Sequence, residues 1–193
     1  MTKSATDNAR TRPAPLEARA KTYIKKQKPD SRLLTGPVSN GVKKARDIRI
    51  AIVGSDFQKS VTDNLEKNCI ETLVGSGIRK GHITTVRVPG SLEIPLAVQM
   101  LAKKKRFDAI IAFGAIHKGK TYHFQQVADE CIRGCMSVSL AYEIPVIYEV
   151  LAVYDIRDAY ERATRKKENR GIEAALSALA MVAVIRALRE KKI

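Results

Sequence analysis

Four short runs rich in Val and Ile, each followed by a stretch of helical character, constrain this chain more than any other feature. The runs are residues 48–53 (IRIAIV), 82–88 (HITTVRV), 109–113 (AIIAF) and 145–153 (PVIYEVLAV). The first reads as a buried strand ending at Gly54. After it, Val61, Leu65, Cys69 and Leu73 recur at helical spacing, and Gly75 and Gly77 supply a stop. Ser60-Val61-Thr62-Asp63 predicts a capping box with Ser60 as N-cap. Residues 92–105 predict a helix whose first turn tolerates Pro95. Further helices are expected over about 121–138, over 156–163 and over about 172–188. Strands alternating with helices, joined by right-handed crossovers, imply an α/β chain: a flavodoxin-like three-layer α/β/α sandwich on a four-stranded parallel sheet. Ligands in such sheets bind at the carboxyl ends of the strands. The loops after Val53, Val88, Phe113 and Val153 are therefore where chemistry is expected.

The last helix is nearly all apolar from Ala174 to Ile185, so it keeps no face for water. It should be covered by the sheet on one side and by another subunit on the other. No apolar run approaches ~18 residues without a charge, and the N-terminus lacks a secretory apolar core, so no membrane partner is expected. The net charge of +15 is uneven, with 12 Lys and Arg against 4 Asp and Glu in residues 1–47. Four prolines also interrupt that segment, which reads as a basic, mobile extension preceding a folded domain over 48–193. Nucleic acid or an acidic partner is its candidate ligand. A cytoplasmic location is expected; a second reading makes the acid-poor segment an organelle or plastid transit peptide. Cys69, Cys131 and Cys135 are odd in number and lack further ligands at zinc spacing, which points to free thiols and no metal.

Residues 107–124 (FDAIIAFGAIHKGKTYHF) hold the most suggestive loop. An apolar run stopping at Gly114, a polar loop and a following helix would aim backbone N–H groups at an anion. Gly114 to Thr121 (GAIHKGKT) literally fits the nucleotide-binding pattern G-x-x-x-x-G-K-[ST], with Lys120 and Thr121 at the phosphates and Mg²⁺. Against that reading, nucleotide loops usually open their domain, and here two strand–helix units precede it. It also leaves Pro89 to Pro95 and Arg162 to Gly171 without roles.

Several fragments, in order, carry a more specific pattern: Phe57 with Val61-Thr62, then Pro89-Gly90-Ser91-Leu92-Glu93-Ile94-Pro95. Gly114-Ala115, Gly119, Thr121 and His123-Phe124 follow, and Pro145-Val146, Glu161-Arg162-Ala163 and Asn169 with Gly171 complete it. Together they resemble lumazine synthase, without obvious gaps from about Ile48 to Leu188. The resemblance implies condensation of 5-amino-6-ribitylaminouracil with 3,4-dihydroxy-2-butanone 4-phosphate, releasing phosphate and water, with no cofactor. It implies homo-oligomers, pentamers or icosahedral 60-mers, whose active sites lie between adjacent subunits. It makes His123 the proton shuttle, a role that the pKa of imidazole suits. Phe57 would stack on the pyrimidine ring, with Ser91, Leu92, Glu93, Ala115, Ile116 and His117 lining its pocket. Glu93 would accept from ribityl hydroxyls. Arg162, from the neighbouring subunit, would hold the phosphate, with Lys120 and Thr121 completing that site; Arg170 would also bind substrate, and Tyr148 would pack on the ring from next door.

The departures from the family pattern are concentrated around that pocket. Asp56-Phe57-Gln58 replaces Arg-Phe-Asn, and Ser91-Leu92-Glu93 replaces Ala-Phe-Glu. Lys120 replaces a small residue before the threonine. The loop Thr164-Arg165-Lys166-Lys167-Glu168-Asn169-Arg170-Gly171 lacks the glycines expected at 164 and 168, which questions its backbone path and any shell built on it. A competing expectation is a scaffold descended from the enzyme that binds a flavin-like ligand or a polyanion with little catalysis.

Overall fold

A computed structural model of the chain describes residues 47–189. Strands β1 (Ile50–Ser55), β2 (Ile83–Val88), β3 (Ala109–His117) and β4 (Val146–Val153) form one parallel sheet in the order β2-β1-β3-β4. Helices α1 (Lys59–Gly75), α2 (Ile94–Lys103), α3 (His123–Tyr142), α4 (Ile156–Thr164) and α5 (Arg170–Arg189) cover both faces. This is the flavodoxin-like sandwich that the alternation implies.

Both faces of β1 are buried, as its unbroken apolar run requires. Ile50 and Ile52 pack under α1, α4 and α5 with Leu65, Ala163 and Leu179. Ala51 and Val53 face α2 and α3 with Val98, Cys131 and Val138. All three cysteines are buried free thiols. Helix α5 is long and apolar enough to cross a membrane by length and composition alone. Its Ala174, Ala175, Ala178, Leu179 and Val182 are nevertheless buried in the core, against α1 and the sheet. Met181, Val184 and Leu188 stay exposed on its outer side. Among the described residues, only one of the two expected covers is therefore supplied.

Three local expectations are corrected. Ser60 is not the N-cap: α1 begins at Lys59, and Gln58, in the left-handed region at φ 56°, holds the cap position without a side-chain bond. The Gln58 carbonyl instead accepts from the Val61 and Thr62 amides. The third helix starts at His123 rather than near Thr121. Strand β3 does not stop at Gly114 but runs to His117, because β4 continues to pair with it as far as His117–Val153. Gly114 is thus buried mid-strand beside Val150, where a Cβ would come within 3.0 Å of Ser55 Oγ and 3.1 Å of Ser91 Oγ. A glycine locked in a ladder cannot open a phosphate-wrapping loop, which removes the nucleotide-loop reading.

Candidate active site

The order β2-β1-β3-β4 places its topological switch between β1 and β3, where doubly wound sheets open a crevice. The Asp56 and Phe57 amides donate to the carbonyls of Val88 and Pro89 at 2.8 and 3.0 Å, tying the loop after β1 to the loop after β2. The left-handed turn at Gln58 then leads directly into α1. Phe57 is left 52% exposed, its ring parallel to that of His117 within 5° at a centroid separation of 6.3 Å. Gln58 Nε2 lies 3.2 Å from His117 Nδ1 and holds the imidazole in that plane.

The β1–β3 ladder ends at Gly54–Phe113, four residues before β3 itself ends. Ala115 and Ile116 are buried and face this crevice through their backbone, since only β4 pairs with them. Ser91, Leu92 and Glu93 form a single 3₁₀ turn between β2 and α2. Leu92 and Glu93 are exposed, whereas Ser91 is buried and its hydroxyl finds no partner among the described residues. A buried hydroxyl without a partner is uncommon and suits a ligand-binding position.

Beyond His117, the Lys118 amide donates to the Val153 carbonyl at 2.9 Å, and the Lys118 ammonium sits 5.1 Å above the Tyr154 ring. Phe124 meets the same tyrosine at 6.3 Å. These contacts pin the segment that carries Lys120, Thr121 and His123, all of them exposed, with His123 opening the 20-residue α3. A hollow of about 170 Å³ lies beside it, lined by Thr121, Phe124 and Tyr154.

A second, larger cavity of about 590 Å³ runs along β4 and is lined by Tyr148, Glu149, Arg162, Arg165, Lys167 and Arg170, among others. Arg162 stands in the last turn of α4, a helix capped by Asp155, whose carboxylate accepts from the Arg157 amide at 2.9 Å. Arg170 opens α5 next to Asn169. The Asn169 side chain accepts from the Gly171 and Ile172 amides at 3.0 and 3.2 Å and donates to the Ala163 carbonyl at 2.8 Å. That one buried asparagine sets the spacing between the two arginines' helices. The Tyr148 side chain packs into the α2–α3 core near the Cys131 thiol; burial and that thiol push the phenol well above its ordinary range.

Glu149 was not among the residues that the sequence pattern singles out. Its one signal was a carboxylate inside an otherwise apolar strand, Val146–Val153. It lies 3.9 Å from Arg170, and burial pushes its carboxyl up to about 7, against the pull of Arg170 and Arg162.

The structure thus gathers the candidate residues into two groups. Phe57, Ser91 to Glu93, Ala115 to His117 and the loop reaching His123 occupy the strand ends from β1 to β3. Tyr148, Arg162 and Arg170 line the β4 cavity, whose walls include neither His123 nor Lys120 nor Thr121.

Fold and site together define an α/β protein with a crevice at the switch point, where the Phe57 and His117 rings stack, and a separate cavity along the sheet edge lined by both basic and acidic side chains. Residues 47–186 match the 6,7-dimethyl-8-ribityllumazine synthase family. The chain is also 44% identical over 143 residues to the 6,7-dimethyl-8-ribityllumazine synthase of Halorhodospira halophila (strain DSM 244 / SL1), covering 74% of this chain and 92% of that protein. The chain belongs to the 6,7-dimethyl-8-ribityllumazine synthase family.

Proposed function

We infer that this chain is a lumazine-forming transferase of riboflavin biosynthesis. It condenses 5-amino-6-ribitylaminouracil with 3,4-dihydroxy-2-butanone 4-phosphate and releases phosphate and water. The observation that carries this reading is the match over residues 47–186, joined to a Phe57 ring left half exposed at the switch point. The Phe57 face takes the pyrimidine, whose polar edge pairs with the β3 backbone beyond the end of the β1 ladder. The Ser91 hydroxyl and Glu93 carboxylate meet the ribityl chain. His123 carries protons between the amine, the carbinol and the leaving water, a general acid–base role worth ~10²–10⁴-fold in rate. Arg162 and Arg170 hold the phosphate of the four-carbon ketose, and Lys120 and Thr121 approach it from the other group.

The separation of His123 from the arginine cavity supports a site completed by two subunits of a homo-oligomer, a pentamer or larger assembly. The apolar side chains left open on Met181, Val184 and Leu188, and on Ile132, Met136 and Leu140, are consistent with that assembly. Mixing the purified chain with both substrates should generate lumazine fluorescence far above the uncatalysed rate. No acceleration over buffer would sink the proposal.

A further inference from the structure

We propose that Glu149 is an internal counter-anion that competes with a bound phosphate for Arg170, and so sets how tightly the β4 cavity holds and releases it. This rests on the reading of that cavity as the phosphate half-site. Arg170 is flanked by two carboxylates: Glu173 Oε2 lies 2.7 Å from its Nη1, and Glu149 Oε2 lies 3.9 Å from its Nε. An arriving phosphate must displace at least one of them to use the guanidinium fully.

The two carboxylates differ in what displacement requires. Glu173 sits one turn along α5 with its side chain 33% exposed, so it can turn into water. Glu149 projects from the middle of β4, paired in register with Phe113, and its side chain is only 16% exposed. A strand side chain so enclosed has nowhere to swing, so its charge is removed at least cost by a proton. The charged groups around it are Arg170 and Glu173 from α5 and Arg162 from α4. The cavity walls add Arg165 and Lys167, offset by Asp158, Glu161 and Glu168. With cations and anions so evenly matched, the charge on Glu149 decides the sign of the field at the cavity floor. Ionised, it favours departure of the phosphate that the reaction produces; protonated, it favours retention.

Sulfate remains a dianion throughout the neutral range, so its binding reports the charge of the protein and not its own titration. Calorimetric titration of sulfate into the full chain should show affinity falling on the order of tenfold between about pH 6 and about pH 8.5, a coupling of ordinary size. Glu149→Gln should keep the tight, low-pH affinity at both values, and Glu149→Asp, whose shorter carboxylate draws back from Arg170, should retain a reduced slope. In steady-state kinetics at the higher pH, Glu149→Gln should lower KM for the phosphorylated ketose and also lower kcat, because product phosphate lingers. Equal pH slopes in the wild type and Glu149→Gln would overturn the role of Glu149 while leaving the anion site standing. Sulfate binding that Arg162→Ala does not weaken would instead remove the cavity from the phosphate reading, and the proposal with it.

Discussion

At the residue scale, single side chains carry separable duties. Arg162 is exposed and makes no close ion pair within the described residues that would hold it in place. Its guanidinium is therefore free for a bidentate phosphate contact, a geometry that an ammonium cannot copy. Arg162→Ala should lower kcat/KM for the phosphorylated ketose by roughly 10- to 100-fold, the scale of a lost charge-assisted pair, with Arg162→Lys recovering only part. Steady-state kinetics with the other substrate saturating would check this, and an unchanged kcat/KM would count against the assignment. Glu149 adds a pH effect on stability. Its folded carboxyl is raised from the ordinary 4.5 to about 7. The folded state therefore binds the proton more tightly than the unfolded chain. Its contribution is most favourable below pH ~4.5 and is lost as pH rises towards ~7, with a total of at most about 3 kcal/mol. Denaturant melts of the wild type and Glu149→Gln should give stabilities that diverge across that window and run parallel above it. The sequence exposed Arg162 through its Glu-Arg-Ala setting, but it could not expose Glu149 as a partner of Arg170. That pairing exists only because β4 and the start of α5, 21 positions apart in the chain, meet at the cavity floor.

At the element scale, what was legible depended on whether a pattern was local. The helices and strands were read almost in place, since buried runs and helical spacing are written residue by residue. The end of β3 was not, because Gly114 looks like a stop until β4 is laid beside it. The loop from α4 to α5 was also read incompletely. Its missing glycine at 164 is harmless, as Thr164 simply ends α4 and its hydroxyl donates to the Tyr160 carbonyl at 2.9 Å. Its missing glycine at 168 matters more: Glu168 occupies the left-handed region at φ 59°. A side chain there costs about 1–2 kcal/mol, part of which a glycine would give back as entropy of the unfolded chain. Glu168→Gly should thus raise stability by up to about 1 kcal/mol, measured by urea denaturation. Gly171 requires the opposite treatment, since a Cβ there would stand 2.3 Å from the Leu65 carbonyl of α1. Gly171→Ala should destabilise by at least about 2 kcal/mol, because the contact is with backbone and α5 would have to lift from α1.

At the scale of the whole molecule, the two groups of residues make a prediction that neither group makes alone. The crevice holding Phe57 and leading to His123 draws on β1, β2 and β3, while the cavity with Arg162 and Arg170 lies along β4, α4 and α5. If one copy supplies the crevice and its neighbour the cavity, every active site in a ring draws on two chains. His123→Ala and Arg162→Ala would each be strongly impaired as pure oligomers, for every site would then carry the same broken half. Mixed at random within one ring, the two variants form four kinds of adjacent pair. In one kind the crevice comes from the Arg162→Ala chain, whose His123 is intact, and the cavity from the His123→Ala chain, whose Arg162 is intact. Co-expressed at equal levels, the pair should therefore recover about one quarter of the wild-type rate, since both halves are intact in about one site in four. Sites built within a single chain would recover nothing, whatever the mixture, because each chain would keep its own defect. The assay thus separates a shared site from a self-contained one without requiring the number of subunits to be known.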